Sequence, residues 1–215
     1  MNRFDYISDP VEIERRSFAQ IRELTDLSRF DPDQQQVAMR LVHTSGDPGI
    51  VADLNFSPGS CAAGVAALRQ GAGVLCDVEM LSQGLSRRYL LGEVHCFLNA
   101  PETAERARRS GETRSMAAMV QWPEYLAGSV VAIGNAPTAL FRLLELLAAG
   151  APRPALIVGM PVGFINAAES KQALIEHAPN AFSVPCIVLQ GRRGGSTLAA
   201  ATVNALARMA QGVRS

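Results

Sequence analysis

The first part of the chain has the apolar spacing of two amphipathic helices. Asp9 is a helix cap, and the pattern predicts a helix that runs to about Asp26. Its inward-facing residues are Val11, Phe18, Ile21 and Leu24. A second helix is predicted from Asp31-Pro32 to about Ser45, before Gly46. Its buried stripe is Val37, Ala38, Leu41 and Val42.

From residue 50 onward the pattern changes, and short apolar runs alternate with helical segments. The runs predict strands at Ile50–Phe56, Gly73–Val78, Val94–Leu98, Val130–Ile133, Ala155–Val158 and Cys186–Gln190. Strands that alternate with helices predict a mostly parallel sheet with helices on both faces. No linker or internal repeat divides the chain. We therefore expect one domain over residues 1–215, with a helical N-terminal arm at about 8–46 and an α/β core at about 50–212.

The chain is organised around one strand-turn-helix segment in its second half. Val130–Ile133 is a run typical of a buried strand, and Gly134-Asn135-Ala136 is a turn. Pro137 suits the first position of the helix that follows. Because the first N–H groups of a helix have no partner inside it, this corner can bind an anion. We expect a carboxylate-rich substrate to lie across such corners.

Composition narrows the function classes. Acidic and basic residues balance at 20 each, which argues against nucleic-acid binding through bulk charge. Among the basic residues only Lys171 is lysine, and the others are arginine. Arginine suits bidentate capture of carboxylates, although biased codon usage would give the same composition. Hydrophobic residues make up 48% of the chain, enough for a sizeable core.

The cysteines and the N-terminus indicate the compartment. Cys61, Cys76, Cys96 and Cys186 are far apart and lie among apolar residues, as buried free thiols do. The N-terminus is charged from its third residue, unlike a signal peptide. No apolar run reaches the length of a membrane span. We expect a soluble, reduced, cytoplasmic protein without a membrane or nucleic-acid partner.

His43 is the histidine best placed for chemistry. It lies one turn after Arg40, and both project beside the apolar stripe of the second helix. A histidine can donate and recover a proton near neutral pH, although a solvated or capping histidine fits the same spacing. His95 is predicted to be a core residue and His177 a surface residue. The three are too scattered to indicate a metal site.

Several segments match one family. They are ERRSF at 14–18, MRLVHTSGD at 39–47, LCDVEM at 75–80, TRSMAAM at 113–119, AIGNAPTALF at 132–141, GMPVGFINAAESK at 159–171 and GRRGGS at 191–196. Through them the chain resembles the precorrin-8X methylmutase family of cobalamin biosynthesis over essentially its whole length. The resemblance implies a three-layer α/β/α sandwich with a mostly parallel five-stranded sheet and Rossmann-like topology. It also implies a cytoplasmic homodimer with the site at the subunit interface.

The reaction that the resemblance implies is an isomerisation without metal or organic cofactor. A methyl group moves from C11 to C12 of precorrin-8X to give hydrogenobyrinic acid. The family's catalytic histidine matches His43, and its proposed role is to protonate the pyrrole-type nitrogen of ring C and then to recover the proton. Substrate-binding roles carry over to Ser17 and Arg40, and Arg114 is a further predicted contact.

Two other functions remain open from the residues alone. One is a tetrapyrrole carrier that binds the macrocycle without changing it. The other is a nucleotide-dependent enzyme that uses the GRRGGS loop at 191–196. That loop has the strand-loop-helix context of a phosphate site, but it lacks the lysine and the spacing of a P-loop.

Overall fold

The computed structural model describes residues 4–213 and begins with two capped helices, α1 (Pro10–Leu24) and α2 (Pro32–Ser45). The Asp9 carboxylate accepts hydrogen bonds from the backbone N–H groups of Val11 and Glu12, at 2.8 and 3.1 Å. Asp31 caps α2 in the same way, as part of a capping box. Gly46, in the left-handed conformation with φ of 67°, ends α2. The caps predicted from the sequence are confirmed.

The remaining elements alternate as expected. The strands are β1 (Leu54–Phe56), β2 (Val74–Cys76), β3 (Val94–His95), β4 (Val130–Ile133), β5 (Leu156–Gly159) and β6 (Cys186–Leu189). The helices are α3 (Ser60–Arg69), α4 (Glu79–Gln83), α5 (Pro101–Ser110), α6 (Arg114–Ala118), α7 (Pro123–Leu126), α8 (Pro137–Ala148), α9 (Ala167–Ala181) and α10 (Ser196–Ala210). Short 3-10 helices cover Pro48–Asp53, Arg87–Tyr89 and Met119–Gln121.

The strands form one sheet in the order β1-β6-β5-β4-β2-β3. All neighbouring pairs are parallel except β1 and β6, which are antiparallel. The prediction of a mostly parallel sheet is confirmed. The sheet has six strands, one more than the resemblance implies, and both edge strands are short.

The centre of the sheet carries the core. All residues of β4, β5 and β6 are buried, and two apolar clusters pack on the two faces. Helix α10 packs against α2 and α3 and reaches the sheet at Gly134. A Cβ atom at Gly134 would lie 2.7 Å from the Cα atom of Ser196. Glycine therefore lets α10 begin directly against the end of β4.

Some local predictions were wrong. Val11 and Leu24 are 75% and 68% exposed, because only the middle of α1 packs against the protein. The segment predicted as one strand, Ile50–Phe56, is mostly 3-10 helix. Helix α3 begins after Gly59 without a side-chain cap, and the nearby Oγ atom of Ser57 accepts a hydrogen bond from the backbone N–H of Cys186 at 2.7 Å.

The cysteines are free thiols, as expected, although Cys96 is only half-buried. Burial raises the pKa of the Cys61 thiol to about 12 and that of Cys186 to about 11. Within residues 4–213, no helix combines the length and the apolar character that a membrane crossing requires.

Candidate active site

His43 lies in the last turn of α2, where α1 crosses it. Its imidazole stacks on the ring of Phe18, with centroids 5.4 Å apart and 9° between the ring planes. The Oγ atom of Ser17 lies 2.7 Å from Nδ1 of His43. These two contacts orient the ring and occupy Nδ1. Nε2 is therefore the nitrogen available to a ligand.

Arg40 lies one helical turn before His43 on α2, and like His43 it contacts α1. Its guanidinium is 4.6 Å from the centroid of Phe18, and its Nη2 atom donates to Oε1 of Glu14 at 2.6 Å. The hydrogen bond from Arg40 holds the pKa of Glu14 below its usual range, which keeps this carboxylate ionised. Arg40 thus has an acidic partner on α1.

The contacts explain the ERRSF motif. Glu14, Ser17 and Phe18 share one face of α1, since they are spaced by three and four residues. That face meets Arg40 and His43, which are also three residues apart. Sequence reasoning selected Ser17 and missed Glu14 and Phe18. The signal was present in their helical spacing.

A cavity of about 300 Å³ opens beside His43. Its walls are the end of α2, the segment from α4 to Tyr89, and α10. The lining residues are Arg40, His43, Thr44, Met80, Gly84, Ser86, Arg88, Tyr89, Thr197, Ala200, Ala201, Asn204, Ala205 and Arg208. Of these, Arg88, Tyr89, Asn204 and Arg208 are polar or charged residues that sequence reasoning missed, because they lie outside the recognised motifs.

Helix α10 forms one wall of the cavity. Thr197, Ala201, Asn204 and Arg208 follow each other at helical spacing, so they share one face. The Oδ1 atom of Asn204 accepts from the N–H of Ser86 at 2.8 Å, and its Nδ2 atom donates to the carbonyl of Gly84 at 2.9 Å. Asn204 therefore joins α10 to the segment before Tyr89 and fixes the distance between these walls.

Arg114 lies elsewhere. At the start of α6, its Nη2 atom donates to the carbonyl of Leu98 at 3.0 Å and to Oδ1 of Asn99 at 2.7 Å. It is exposed and does not line the cavity beside His43. The structure thus brings Ser17, Arg40 and His43 together without Arg114, whose substrate contact stays a prediction.

The anion-binding corner after β4 is filled from within the chain. The carboxylate of Asp77, which follows β2, accepts from the backbone N–H groups of Gly134, Asn135 and Ala136 at 3.1, 2.8 and 2.8 Å. Burial raises the pKa of Asp77, and the three amides oppose this by favouring the carboxylate. The prediction that a substrate carboxylate uses this corner was wrong, because Asp77 already occupies it.

The GRRGGS loop joins the sheet to the segment after α2. The Arg193 guanidinium donates to the carboxylates of Asp47 and Asp53 at 2.5 and 2.6 Å. The carbonyl of Arg193 accepts from Nζ of Lys171 at 2.7 Å, and the N–H of Gly195 donates to the carbonyl of Met160 at 2.8 Å. The loop is therefore held by side chains and backbone groups of its own chain. One of its partners, Asp47, lies four residues after His43 in the sequence.

The other histidines have the surroundings of structural residues. His95 packs against Tyr125, with ring centroids 4.5 Å apart, and lies 3.6 Å from a carboxylate oxygen of Glu93. His177 is exposed, as predicted. Across the described part of the chain, no three His, Cys, Asp or Glu side chains are grouped so that they could hold a metal ion.

Comparison with known proteins identifies relatives over most of the chain. A family model described as precorrin-8X methylmutase matches residues 12–209. The precorrin-8X methylmutase of Pseudomonas aeruginosa is 51% identical over an alignment of 205 residues that covers 94% of this chain and 97% of the relative. That of a Sinorhizobium species is 51% identical over 210 residues, covering 97% of this chain and 99% of the relative.

More distant relatives carry a related name. The cobalt-precorrin-8 methylmutase of Priestia megaterium is 35% identical over 204 residues, covering 94% of this chain and 88% of the relative. A crystal structure of precorrin-8X methylmutase from Thermus thermophilus matches with a TM-score of 0.83 at 39% identity. The match covers 93% of this chain and 98% of that one. The chain therefore belongs to the precorrin-8X methylmutase family.

Proposed function

We propose that this protein is an isomerase of cobalamin biosynthesis that moves a methyl group from C11 to C12 of precorrin-8X and forms hydrogenobyrinic acid. The observation that carries the proposal is the imidazole of His43, oriented by Ser17 and Phe18 at the wall of an arginine-lined cavity. The metal-free substrate is chosen because the relatives at 51% identity are named for it, whereas the cobalt-precorrin-8 methylmutase of Priestia megaterium is 35% identical.

His43 is proposed to supply and recover the proton. The imidazolium form of His43 gives its Nε2 proton to the pyrrole-type nitrogen of ring C and becomes neutral imidazole, and the protonated ring is a better electron sink while the methyl group migrates. The same nitrogen of His43 then takes the proton back, so that substrate and product have the same atoms. Nδ1 carries a hydrogen both before and after Nε2 gives its proton, and the Ser17 hydroxyl can accept from it in both states, so it orients the ring throughout the step.

The polar residues beside His43 are proposed to hold the acidic arms of the macrocycle. Arg40 and Ser17 contact the substrate in this proposal, and Arg114 is a further contact at a separate place on the surface. Guanidinium groups bind carboxylates through charge-assisted hydrogen bonds, and the alanines of α10 offer a flat apolar wall to the ring. Binding the macrocycle in a reactive conformation lowers the remaining barrier.

A homodimer with the site at the subunit interface is part of the proposal. The cavity of about 300 Å³ is small for a macrocycle with several carboxylate arms, because pockets for much smaller ligands measure roughly 300–1,000 Å³. Exposed apolar side chains lie in the loop after β5, where Phe164 and Ile165 are 84% and 78% exposed. A second copy that covers such residues would enlarge the binding surface. We assign residues 1–215 to one domain and place it in the cytoplasm.

Turnover separates this function from that of a carrier. Purified protein is mixed with a large excess of precorrin-8X, and the absorption spectrum is followed. The proposal predicts many molecules of hydrogenobyrinic acid per protein chain. A spectral change that stops at one equivalent would indicate a carrier and contradict the proposal. Cobalt-precorrin-8 serves as the comparison substrate, and we expect slower turnover with it.

A further inference from the structure

Arg208 has an unusual electrostatic position in the cavity wall. Its side chain is only 20% exposed, so most of it is withdrawn from water. Its polar contacts are long, at 3.5 Å from Nη1 to the hydroxyl of Tyr89 and 3.9 Å from Nη2 to Oε1 of Glu14. Arg193, by contrast, meets two carboxylates at 2.5 and 2.6 Å. A largely buried cation without a close anion is costly unless a ligand supplies one.

Glu14 pairs closely with Arg40 and only at long range with Arg208. Its Oε1 atom accepts from Nη2 of Arg40 at 2.6 Å, and that hydrogen bond is the largest cause of its lowered pKa. The same oxygen lies 3.9 Å from Nη2 of Arg208, well beyond its distance of 2.6 Å from Nη2 of Arg40. One carboxylate therefore lies beside the two guanidinium groups of Arg40 and Arg208, and Arg88 adds a third positive charge to the lining of the same cavity.

The ring of Tyr89 contacts the guanidinium groups of both Arg88 and Arg208. The guanidinium carbon of Arg88 lies 4.7 Å from the centroid of the Tyr89 ring, and that of Arg208 lies 5.5 Å from it. Cation–π contacts restrict an arginine side chain without using its N–H donors. Those donors stay available for an anion that enters the cavity.

We propose that Arg208 is a substrate-binding residue that takes a carboxylate arm of the macrocycle, with Tyr89 as its support. The inference rests on the proposed function, since it assigns a contact for the same substrate. Along α10, Arg208 is eleven residues after Thr197, which corresponds to roughly 16 Å of helix. Arg208 thus binds an arm at one end of the α10 wall, while the alanines between contact the ring.

The test compares Arg208→Gln with Arg69→Gln. Arg69 is a matched control because its Nε atom also contacts α10, at the carbonyl of Ala210, but it does not line the cavity. The dissociation constant of hydrogenobyrinic acid is measured by absorption titration. We expect Arg208→Gln to weaken binding about 10- to 100-fold, the loss typical of one charge-assisted hydrogen-bonded contact. Arg69→Gln is expected to bind as the wild type does.

A ligand without carboxylates distinguishes a direct contact from a packing effect. Hydrogenobyrinic acid with its side-chain carboxylates converted to amides should bind equally to the wild type and Arg208→Gln. An equal loss with both ligands, or no loss with either, would overturn the inference. Should Arg208→Gln fail to fold, Arg208→Met removes the same charge and gives the same comparison. If the Arg208 inference fails but the wild type still converts precorrin-8X, only the inference is contradicted. A wild type that neither binds nor converts the macrocycle would contradict the proposed function.

Discussion

At the residue scale, the site depends on a few side chains from two helices. Ser17 and His43 are 26 residues apart in sequence, yet their side chains are 2.7 Å apart. Phe18 packs flat against the imidazole, and the same ring lies beneath Arg40. An exposed histidine would otherwise sample several rotamers. The neighbours therefore select one orientation of His43 before any substrate is bound.

Replacing Ser17 tests this orienting role. In Ser17→Ala the hydroxyl beside Nδ1 is lost, and we expect kcat to fall about 3- to 10-fold, in line with the net value of one hydrogen bond. KM should change little in comparison if orientation is the main contribution. Ser17→Thr retains a hydroxyl and is expected to recover most of the rate. Steady-state kinetics with precorrin-8X supply both constants.

The opposite pattern would contradict the orienting role. If Ser17→Ala raises KM and leaves kcat unchanged, then Ser17 contributes to substrate binding alone. Thermal unfolding of the three proteins serves as a control, since Ser17 is only half-buried and its loss should have little effect on stability.

At the element scale, the helices were easier to predict than the strands. Aspartate caps fix the starts of α1 and α2, and left-handed Gly46 fixes the end of α2, through local contacts that can be read from neighbouring residues. Strand ends depend on partners far away in sequence. Asp77, just after the end of β2, is the clearest case. Its carboxylate accepts hydrogen bonds from backbone N–H groups that lie 57 to 59 residues later in the sequence. No local pattern could predict that Asp77 fills the corner after β4.

The connection between α9 and the GRRGGS loop depends on one buried amine. Lys171 is fully buried, and its Nζ atom donates to the carbonyl of Arg193. Burial lowers the pKa of Lys171 to about 8, and the charge of Asp53 opposes this shift. The side chain of Arg193 binds Asp47 and Asp53, and its carbonyl binds the Lys171 amine. The loop therefore depends on an amine that loses its proton more readily than an exposed lysine does.

The pKa of Lys171 predicts a contribution to stability that depends on pH. Folded Lys171 loses its proton at a pKa of about 8, whereas an unfolded lysine does so at about 10.4. Between these values the unfolded chain binds more protons, so the free energy of unfolding rises with pH. Lys171→Met lacks this contribution. The free energy of unfolding of the wild type, relative to that of Lys171→Met, should therefore increase between about pH 8 and pH 10.

Chemical denaturation of both proteins at several pH values measures this difference directly. All other titrating groups are common to the two proteins and largely cancel. Parallel curves for the wild type and Lys171→Met across the window would contradict the depressed pKa of Lys171.

At the scale of the whole molecule, the cavity beside His43 is formed by three regions of one chain. The sheet and α10 fix the positions of the cavity walls, and α2 adds the imidazole of His43 from one side, with α1 packed against it. The overall α/β architecture followed from the alternation of strands and helices. The cavity did not, because its lining comes from α2, the region around α4 and α10, which are far apart in sequence.

The dimer is tested by mass and activity together. The proposed function places the site between two copies, so a chain of 22.9 kDa should elute from size exclusion with light scattering at about twice that mass. His43→Ala should have the same mass, since that side chain is exposed and contacts its own chain through Ser17 and Phe18. A monomer with full turnover would contradict the placement of the site at a subunit interface.

The most direct test of the mechanism is the rate of methyl migration in His43→Ala. Enzyme in excess is mixed with precorrin-8X, and the formation of hydrogenobyrinic acid is followed in a single turnover, which separates chemistry from product release. The account predicts a rate about 10²- to 10⁴-fold lower than that of the wild type, the usual contribution of a general acid. Binding of hydrogenobyrinic acid should change only a few-fold. A wild-type rate in His43→Ala would contradict the proton-transfer role of this histidine.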